Sequence, residues 1–255
     1  MREASARSFY RALTLRTEYR TKRVDFNAFY VLSKNLDSDS TERGASFAEY
    51  DNAFNLGPEY SFSRLDRRHQ FSFGGVFKVP YGFQVSGTGR FSSGAPIDVS
   101  VSGITAPAGS GLSNAAYAAL VTVGGFTTGD LNQDNGNFSD RPYSAPGVSI
   151  PRNAFRNRPI YGVNLRLQRD FHIGERVLIS PSYEVFNVFK FKNIQLASTT
   201  ATNYGNPGVN EKTGEVLAPS NPNFLRIRDS VSGAYLLTNN AGSPLQMQFG
   251  IRVKF

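Results

Sequence analysis

The clearest pattern in the chain is the alternation of apolar and polar residues over positions 245–255. One face would carry Leu245, Met247, Phe249, Ile251, Val253 and Phe255, and the other Gln246, Gln248, Gly250, Arg252 and Lys254. Successive side chains of a β-strand point to opposite faces. This period of two therefore predicts a strand with one apolar and one polar face.

Other segments repeat the pattern. It is clear at 161–168 and 177–185, and weaker at 10–20, 23–34, 68–79 and 81–92. The connections between these strands alternate in length: they are short at 21–22, 80 and 174–175, and long across 35–67, 93–158 and 189–243.

Alternating short and long connections are typical of transmembrane β-barrels, in which strands of about 10 residues join tight periplasmic turns to long extracellular loops. Placing Phe255 on the periplasmic side assigns every short turn to the periplasm and every long segment to the outside. Lipid cannot hydrogen-bond an open sheet edge, so spanning strands must close into a barrel. We predict an all-β fold, an antiparallel transmembrane β-barrel segment of about seven to eight strands within a larger barrel of even strand number.

The composition of the chain limits the classes of protein to which it can belong. No stretch approaches the roughly 18 consecutive apolar residues of a membrane helix, which excludes a helical membrane protein. The net charge of +8 is scattered rather than gathered into a run, so we expect no nucleic-acid partner. Many Tyr and Phe residues fall near predicted strand ends, where barrels place rings at headgroup level.

Residues 1–10 lack the apolar region of a signal peptide. We interpret 1–255 as the C-terminal portion of one barrel domain, without plug domain or signal peptide.

Several stretches, in order along the chain, carry a resemblance to a known family. They are Tyr10-Arg-Ala-Leu-Thr-Leu, Tyr30-Val-Leu-Ser-Lys-Asn-Leu-Asp, Asp66-Arg-Arg-His-Gln-Phe, Val79-Pro-Tyr-Gly, Ser93-Gly-Ala-Pro, Gly129-Asp-Leu-Asn-Gln-Asp through Asp140-Arg-Pro, Tyr183-Glu-Val-Phe-Asn-Val-Phe, and the terminal strand. In this combination the chain resembles the C-terminal barrel segment of TonB-dependent outer-membrane receptors, in particular the Oar-like group with an N-terminal carboxypeptidase-regulatory-like domain.

The resemblance implies a barrel of about 22 strands with a plug in its lumen. It also implies import of a substrate energised by the TonB system, which would act through a plug that this sequence does not contain. The terminal residues Met247, Phe249, Ile251, Val253 and Phe255 resemble the signal that outer-membrane proteins present to the barrel-assembly machinery. An unpaired terminal strand is a template for another strand, which gives such recognition a physical basis. The alternative is simply an amphipathic last strand.

One loop motif has the residue types of a metal site. Asp130, Asn132 and Asp134 match the first half of a calcium loop, with Asp140 as a further oxygen ligand. The second half departs from the pattern, since Arg141 stands where an EF-hand has Glu. The alternative is a turn cluster rich in Asn, Asp and Gly.

Candidate catalytic groups are sparse. His69 and His172 lie near predicted strand ends without triad or metal-ligand spacing, so we expect no enzyme.

We interpret Gly87 and Gly89 as positions of close packing in the wall. The uncharged stretch 99–129 has the composition of a flexible surface loop, the alternative being a loop folded over the lumen.

Three functions follow from these observations. The leading hypothesis is a receptor in the bacterial outer membrane, in contact with its lipid, that takes part in binding and importing an unidentified substrate. The second is a passive or structural outer-membrane pore, with oligomerisation supplying the missing strands. The third is a secreted β-sandwich that binds a glycan or another protein.

Overall fold

The computed structural model describes residues 6–38, 50–52, 55–124, 128–133, 140–196, 199–236, 238–240 and 244–255. Its strands are β1 (Ser8–Arg20), β2 (Val24–Asp37), β3 (Ser61–Phe62), β4 (His69–Lys78), β5 (Phe83–Ser92), β6 (Pro96–Ile97), β7 (Tyr143–Ala145), β8 (Val148–Ser149), β9 (Phe155–Arg156), β10 (Ile160–Arg169), β11 (Phe171–Ile173), β12 (Val177–Phe186), β13 (Ile194–Leu196), β14 (Thr238–Asn240) and β15 (Gln246–Lys254). Its helices are a 3₁₀ turn (Pro80–Gly82), α1 (Asn114–Val121) and α2 (Thr199–Thr202).

Seven long strands form one antiparallel sheet, which we call the wall, in the order β1, β2, β4, β5, β10, β12, β15. Each strand pairs with the next long strand along the chain, as in an up-and-down meander. All seven predicted strands are confirmed, with ends within a few residues of the predicted ones.

The register of the wall collects the apolar residues on one face. Tyr30 pairs with Phe71, Phe71 with Phe91, and Phe91 with Tyr161, which makes an aromatic row across four strands. Leu165 pairs with Val185 on the same face. We call this the apolar face and the opposite one the polar face. Because the side-chain period is two, a slip of one residue in any strand would exchange its two faces.

A proline explains the break between β10 and β11. Both strands pair with β12 in one continuous register, Gln168 with Ser182 and Phe171 with Ile179. The interruption lies opposite Pro181, which has no N–H to donate to the neighbouring strand. The two segments are therefore one interrupted strand of the wall.

The two ends of the wall differ as predicted. At one end, which we call the turn end, the strands are joined by residues 21–23, 79–82 and 174–176. Thr21 tightens the first turn, since its Oγ1 accepts hydrogen bonds from the Arg23 and Val24 N–H groups. Tyr81 and Gly82 turn the chain with φ of 63° and 76°. All longer connections leave from the opposite end, the loop end.

Glycines allow close packing within the apolar face. A Cβ atom at Gly89 would overlap the ring of Phe73, and one at Gly87 would lie 3.0 Å from Cδ2 of Leu165. The side chains of Phe73 and Leu165 therefore occupy the space that a side chain at Gly89 or Gly87 would need. The interpretation of these glycines as packing positions is confirmed.

The wall is open at β1 and β15, neither of which has a second long neighbour among the described residues. Six antiparallel pairings separate these strands, so β1 and β15 run in the same direction. They therefore cannot pair with each other in antiparallel fashion. Antiparallel closure requires an odd number of further strands between them.

The connections at the loop end pack against each other into what we call the loop layer, formed by the described residues of 50–66, 93–159 and 187–236. Its apolar cluster contains Val101, Ile104, Ala118, Val121, Leu131, Tyr143 and Val209. Much of this cluster comes from the stretch 99–129, so the prediction of a simple surface loop is wrong there. Every buried apolar side chain of the described residues lies in this layer, whereas the apolar side chains of the wall are half-buried or exposed.

Helix α1 forms part of that cluster. Ser113 caps it by accepting a hydrogen bond from the Ala116 N–H, and Ala118 and Val121 are its buried residues. Neither this helix nor α2 is long and apolar enough to span a membrane.

We predict that Gly94→Ala loosens the join between wall and loop layer. A Cβ atom at Gly94 would overlap the Asn157 carbonyl group, whose residue is held by a 2.8 Å hydrogen bond from its N–H to Ala95 O. The backbone must shift, at a cost of about 1–3 kcal/mol. Denaturant unfolding should show the loss, while Gly162→Ala, whose Cβ would meet only ordinary contacts, should not. Equal midpoints for the two variants would contradict this account.

Candidate functional site: the loop layer

A buried arginine organises the centre of the loop layer. Arg141 is 4% exposed and reaches Glu59, itself 1% exposed, through both ends of its guanidinium group. Its Nε lies 2.9 Å from Asp51 Oδ2 and its Nη1 3.9 Å from Asp98 Oδ2. The bidentate geometry with Glu59 is the strong form of this ion pair. One cation therefore gathers three carboxylates, two from segment 50–66 and one from segment 93–159.

Two more arginines tie this network to the wall. Arg152 donates to the Asp37 carbonyl at 2.9 Å and pairs with the Asp37 carboxylate, at the end of β2. Arg156 donates to Asp66 Oδ2 at 2.6 Å, and Asp66 Oδ1 accepts the Asn35 N–H at 2.7 Å. The loop layer is thus fixed to the loop end of β2 by charge-assisted hydrogen bonds.

Burial sets the electrostatics of the network. It raises the pKa of Asp51 and of Asp98, although Arg141 opposes both shifts. Burial by itself lowers the pKa of Arg141, but the Glu59 hydrogen bond and the surrounding carboxylates outweigh it and raise that pKa. Asp51 and Asp98 therefore oppose folding when ionised, and this contribution eases as pH falls through their raised pKa values. Arg141 stays charged.

Three residues of the predicted calcium motif, Asp130, Asn132 and Asp140, lie on the flank of this network. Asp140 Oδ2 accepts the N–H groups of Leu131 at 2.6 Å and Asn132 at 3.0 Å, so its carboxylate closes the turn that carries the motif. Asn132 donates through its side chain to the Asp51 carbonyl. Asp130 Oδ1 is buried and receives no hydrogen bond from the residues that the structure describes.

Asp134 lies outside the described residues, so the four predicted ligands cannot be compared as a set. Within the described part of the chain, no group of three or more acidic or histidine side chains is arranged to hold a metal ion. The turn that Asp140 closes also serves a purely structural role. The calcium site stays a prediction.

A pocket of about 370 Å³ lies at the loop end of β10. Tyr161 and Phe191 line it with their rings 5.3 Å apart, and Arg158, Lys192 and Tyr235 complete its polar side. Asn193 holds the pocket to β10, since its side chain accepts the Tyr161 N–H at 2.9 Å and donates to the Tyr161 carbonyl at 2.7 Å. Sequence periodicity gave no sign of this pocket.

The polar face of the wall carries charged and amide side chains. Arg166 pairs with Glu184 on the next strand at 3.2 Å and donates to Gln168 at 2.9 Å. Asn164 accepts the Asn187 N–H at 3.0 Å. Such a face suits the lumen of a barrel, where water or a polar solute meets the wall.

The two histidines stand apart from each other. His69 begins β4 at the loop end and shares a 2.8 Å hydrogen bond with the Tyr30 hydroxyl, whereas His172 lies in β11 near the turn end. The predicted positions of both near strand ends are confirmed. That the protein is not an enzyme stays a prediction.

The residues of the predicted assembly signal lie on the open edge strand. Met247, Phe249, Ile251 and Val253 are on the apolar face of β15 and 49–82% exposed, and Phe255 follows at 99%. β15 pairs with β12 on one side only among the described strands. The edge is therefore available to another strand, and recognition by the assembly machinery stays a prediction.

Comparison with known proteins agrees with the architecture. The family described as "outer membrane beta barrel domain" matches residues 1–227. No curated protein and no solved structure matches the chain. The match covers most of the chain. The predicted alternative of a secreted β-sandwich needs two packed sheets, and it does not fit the wall, which carries an exposed apolar face. The chain belongs to the family of outer membrane beta barrel domains, and it resides in the bacterial outer membrane.

Proposed function

We propose that this chain is the receptor wall of a TonB-dependent transporter, with the loop layer taking part in the binding of a bulky substrate outside the cell. The observation that carries the proposal is the loop layer itself. Its apolar cluster and its buried arginine network hold long extracellular loops in one arrangement. Function in barrels of this kind resides in loops that a rigid scaffold positions.

A passive pore is the alternative, and the polar face of the wall would serve it as well. One form of the passive pore, a ring of several identical chains, is disfavoured by the direction of the edge strands β1 and β15. In a ring of identical chains with a common axis, β15 of one copy would lie beside β1 of the next. Because these strands run in the same direction, the junction would be parallel, unlike the antiparallel pairing of outer-membrane barrels.

The proposal predicts uptake that depends on TonB. Strains of the organism lacking either this gene or the TonB system would be grown on one complex medium, and solute depletion would be followed by mass spectrometry. We expect the solutes that the strain without this gene fails to take up from the medium to remain in the medium of the strain without TonB as well. If the gene deletion impairs uptake and the TonB deletion does not, the passive pore is correct.

Conductance in planar bilayers gives an independent measurement on the complete protein. A receptor with an occluded lumen should give no steady channel, whereas a passive pore should give stable ohmic steps. Stable steps would count against the receptor even if uptake were lost in both strains.

A further inference from the structure

The pocket at the loop end of β10 is lined by Tyr161, a residue of the apolar face of the wall. Tyr161 projects from the apolar face, in the row that it forms with Tyr30, Phe71 and Phe91. Phe91 and Tyr161 have ring centroids 5.2 Å apart. A second set of rings, Phe77 and Phe83 among them, lies near the turn end. On β5, Phe83 and Phe91 are separated by roughly 27 Å of strand.

Two aromatic rows at this separation are the girdles of a membrane barrel, which mark the borders of the apolar band. The pocket is lined by the Tyr161 ring, by the neighbouring Phe191 ring and by loop residues that include Tyr235. It therefore lies at the depth of the outer-leaflet headgroups, with acyl chains directly below it.

The lining of the pocket is cationic, and no acidic residue is among its described members. Lys192 Nζ donates to the Tyr235 hydroxyl at 3.2 Å, and the Arg228 guanidinium lies 3.9 Å from the Tyr235 ring centre. Neither Arg158 nor Lys192 forms an ion pair with an acidic side chain in the described part of the chain. Asp229, next to Arg228, points elsewhere, since it accepts hydrogen bonds from Asn223 and Ser232.

We propose that this pocket binds the phosphate-bearing headgroup of an outer-leaflet glycolipid. Arg158 and Lys192 would contact the phosphate, and Tyr161 and Phe191 would pack against the sugar and the first carbons of the acyl chains. Guanidinium and ammonium groups are the usual protein partners of phosphate. The aromatic rings set the depth at which these cations meet the lipid. The site is on the outside of the wall, so it is independent of any substrate in the lumen.

Titration of the complete protein in non-ionic detergent tests the site. The probes are diphosphorylated lipid A, the same glycolipid with both phosphates removed, and inorganic phosphate, with binding followed by native mass spectrometry. We expect lipid A to bind and Arg158→Gln/Lys192→Gln to bind it about a hundredfold more weakly, about tenfold for each of the two charge-assisted contacts removed. The matched control Lys22→Gln/Arg23→Gln removes the same charge at the turn end and should bind as the unmodified protein does.

Each other outcome overturns the proposal. Equal binding of the dephosphorylated glycolipid would show that phosphate is not recognised. Competition by inorganic phosphate at equimolar concentration would indicate a free-anion site. Equal weakening in both double variants would indicate diffuse charge attraction. Heat-modifiable migration on gels would show that each variant still forms its barrel, so that lost binding is not lost folding.

Discussion

Arg141→Met is expected to destabilise the loop layer by about 3–5 kcal/mol, because it removes one partner of a buried ion pair and leaves the other without its bidentate partner. Glu59 is 1% exposed and receives both ends of the Arg141 guanidinium. Without that cation the buried Glu59 carboxylate keeps the longer contact of 3.9 Å with Arg152 Nε. Asp51 and Asp98 lose the same neighbouring positive charge, and Asp51 is then repelled by Glu59 and by Asp98.

Limited proteolysis of the folded protein in detergent measures this effect, since a loosened loop layer exposes cleavage sites that the wall does not carry. We expect the loop fragments of Arg141→Met to appear much sooner, while the heat-modifiable barrel band persists. Arg226→Met removes an exposed arginine from the same layer and serves as control. The double variant Arg141→Met/Glu59→Gln should recover part of the loss. Unchanged proteolysis of Arg141→Met would mean that the network does not hold the loops.

The wall and the loop layer differ in how far sequence predicts them. Each wall strand is set by its own alternation, as in 161–168, and by a local turn such as Thr21 or Gly174. Both are visible in a short window of residues. The chain order of the strands then follows, because short turns join antiparallel neighbours.

The loop layer has no such period. Arg141 and Glu59 are 82 residues apart, and each stands among residues typical of ordinary surface loops. Only the fold brings them together, and nothing in a charged residue's local sequence indicates that it is buried. Asp66 belongs to one of the stretches that carry the family resemblance, but only the three-dimensional structure shows that its carboxylate holds Arg156. The same limit applies to the pocket, where Phe191 and Tyr235 meet Tyr161 from distant segments.

Leu165→Lys is expected to cost about 2–4 kcal/mol in a lipid bilayer, the penalty for a lysine facing lipid at the midplane of a barrel. Leu165 lies midway between the girdle position Tyr161 and Arg169, which pairs with Phe83 of the other girdle. It is 42% exposed on the apolar face, so a lysine there would meet acyl chains with no acidic partner.

The informative comparison is with Ser182→Lys, since Ser182 lies on the polar face of the neighbouring strand, where it pairs with Gln168, three residues along β10 from Leu165. In urea unfolding from lipid vesicles, we expect Leu165→Lys to have a lower midpoint than the unmodified protein. The midpoint of Ser182→Lys should be nearly unchanged. The reverse result would mean that the wall curves with its apolar residues inside. In that case the aromatic rows would not be membrane girdles, and the polar face would look outward to water. Similar losses for both variants would point to a sheet buried on its two sides, in conflict with a barrel wall.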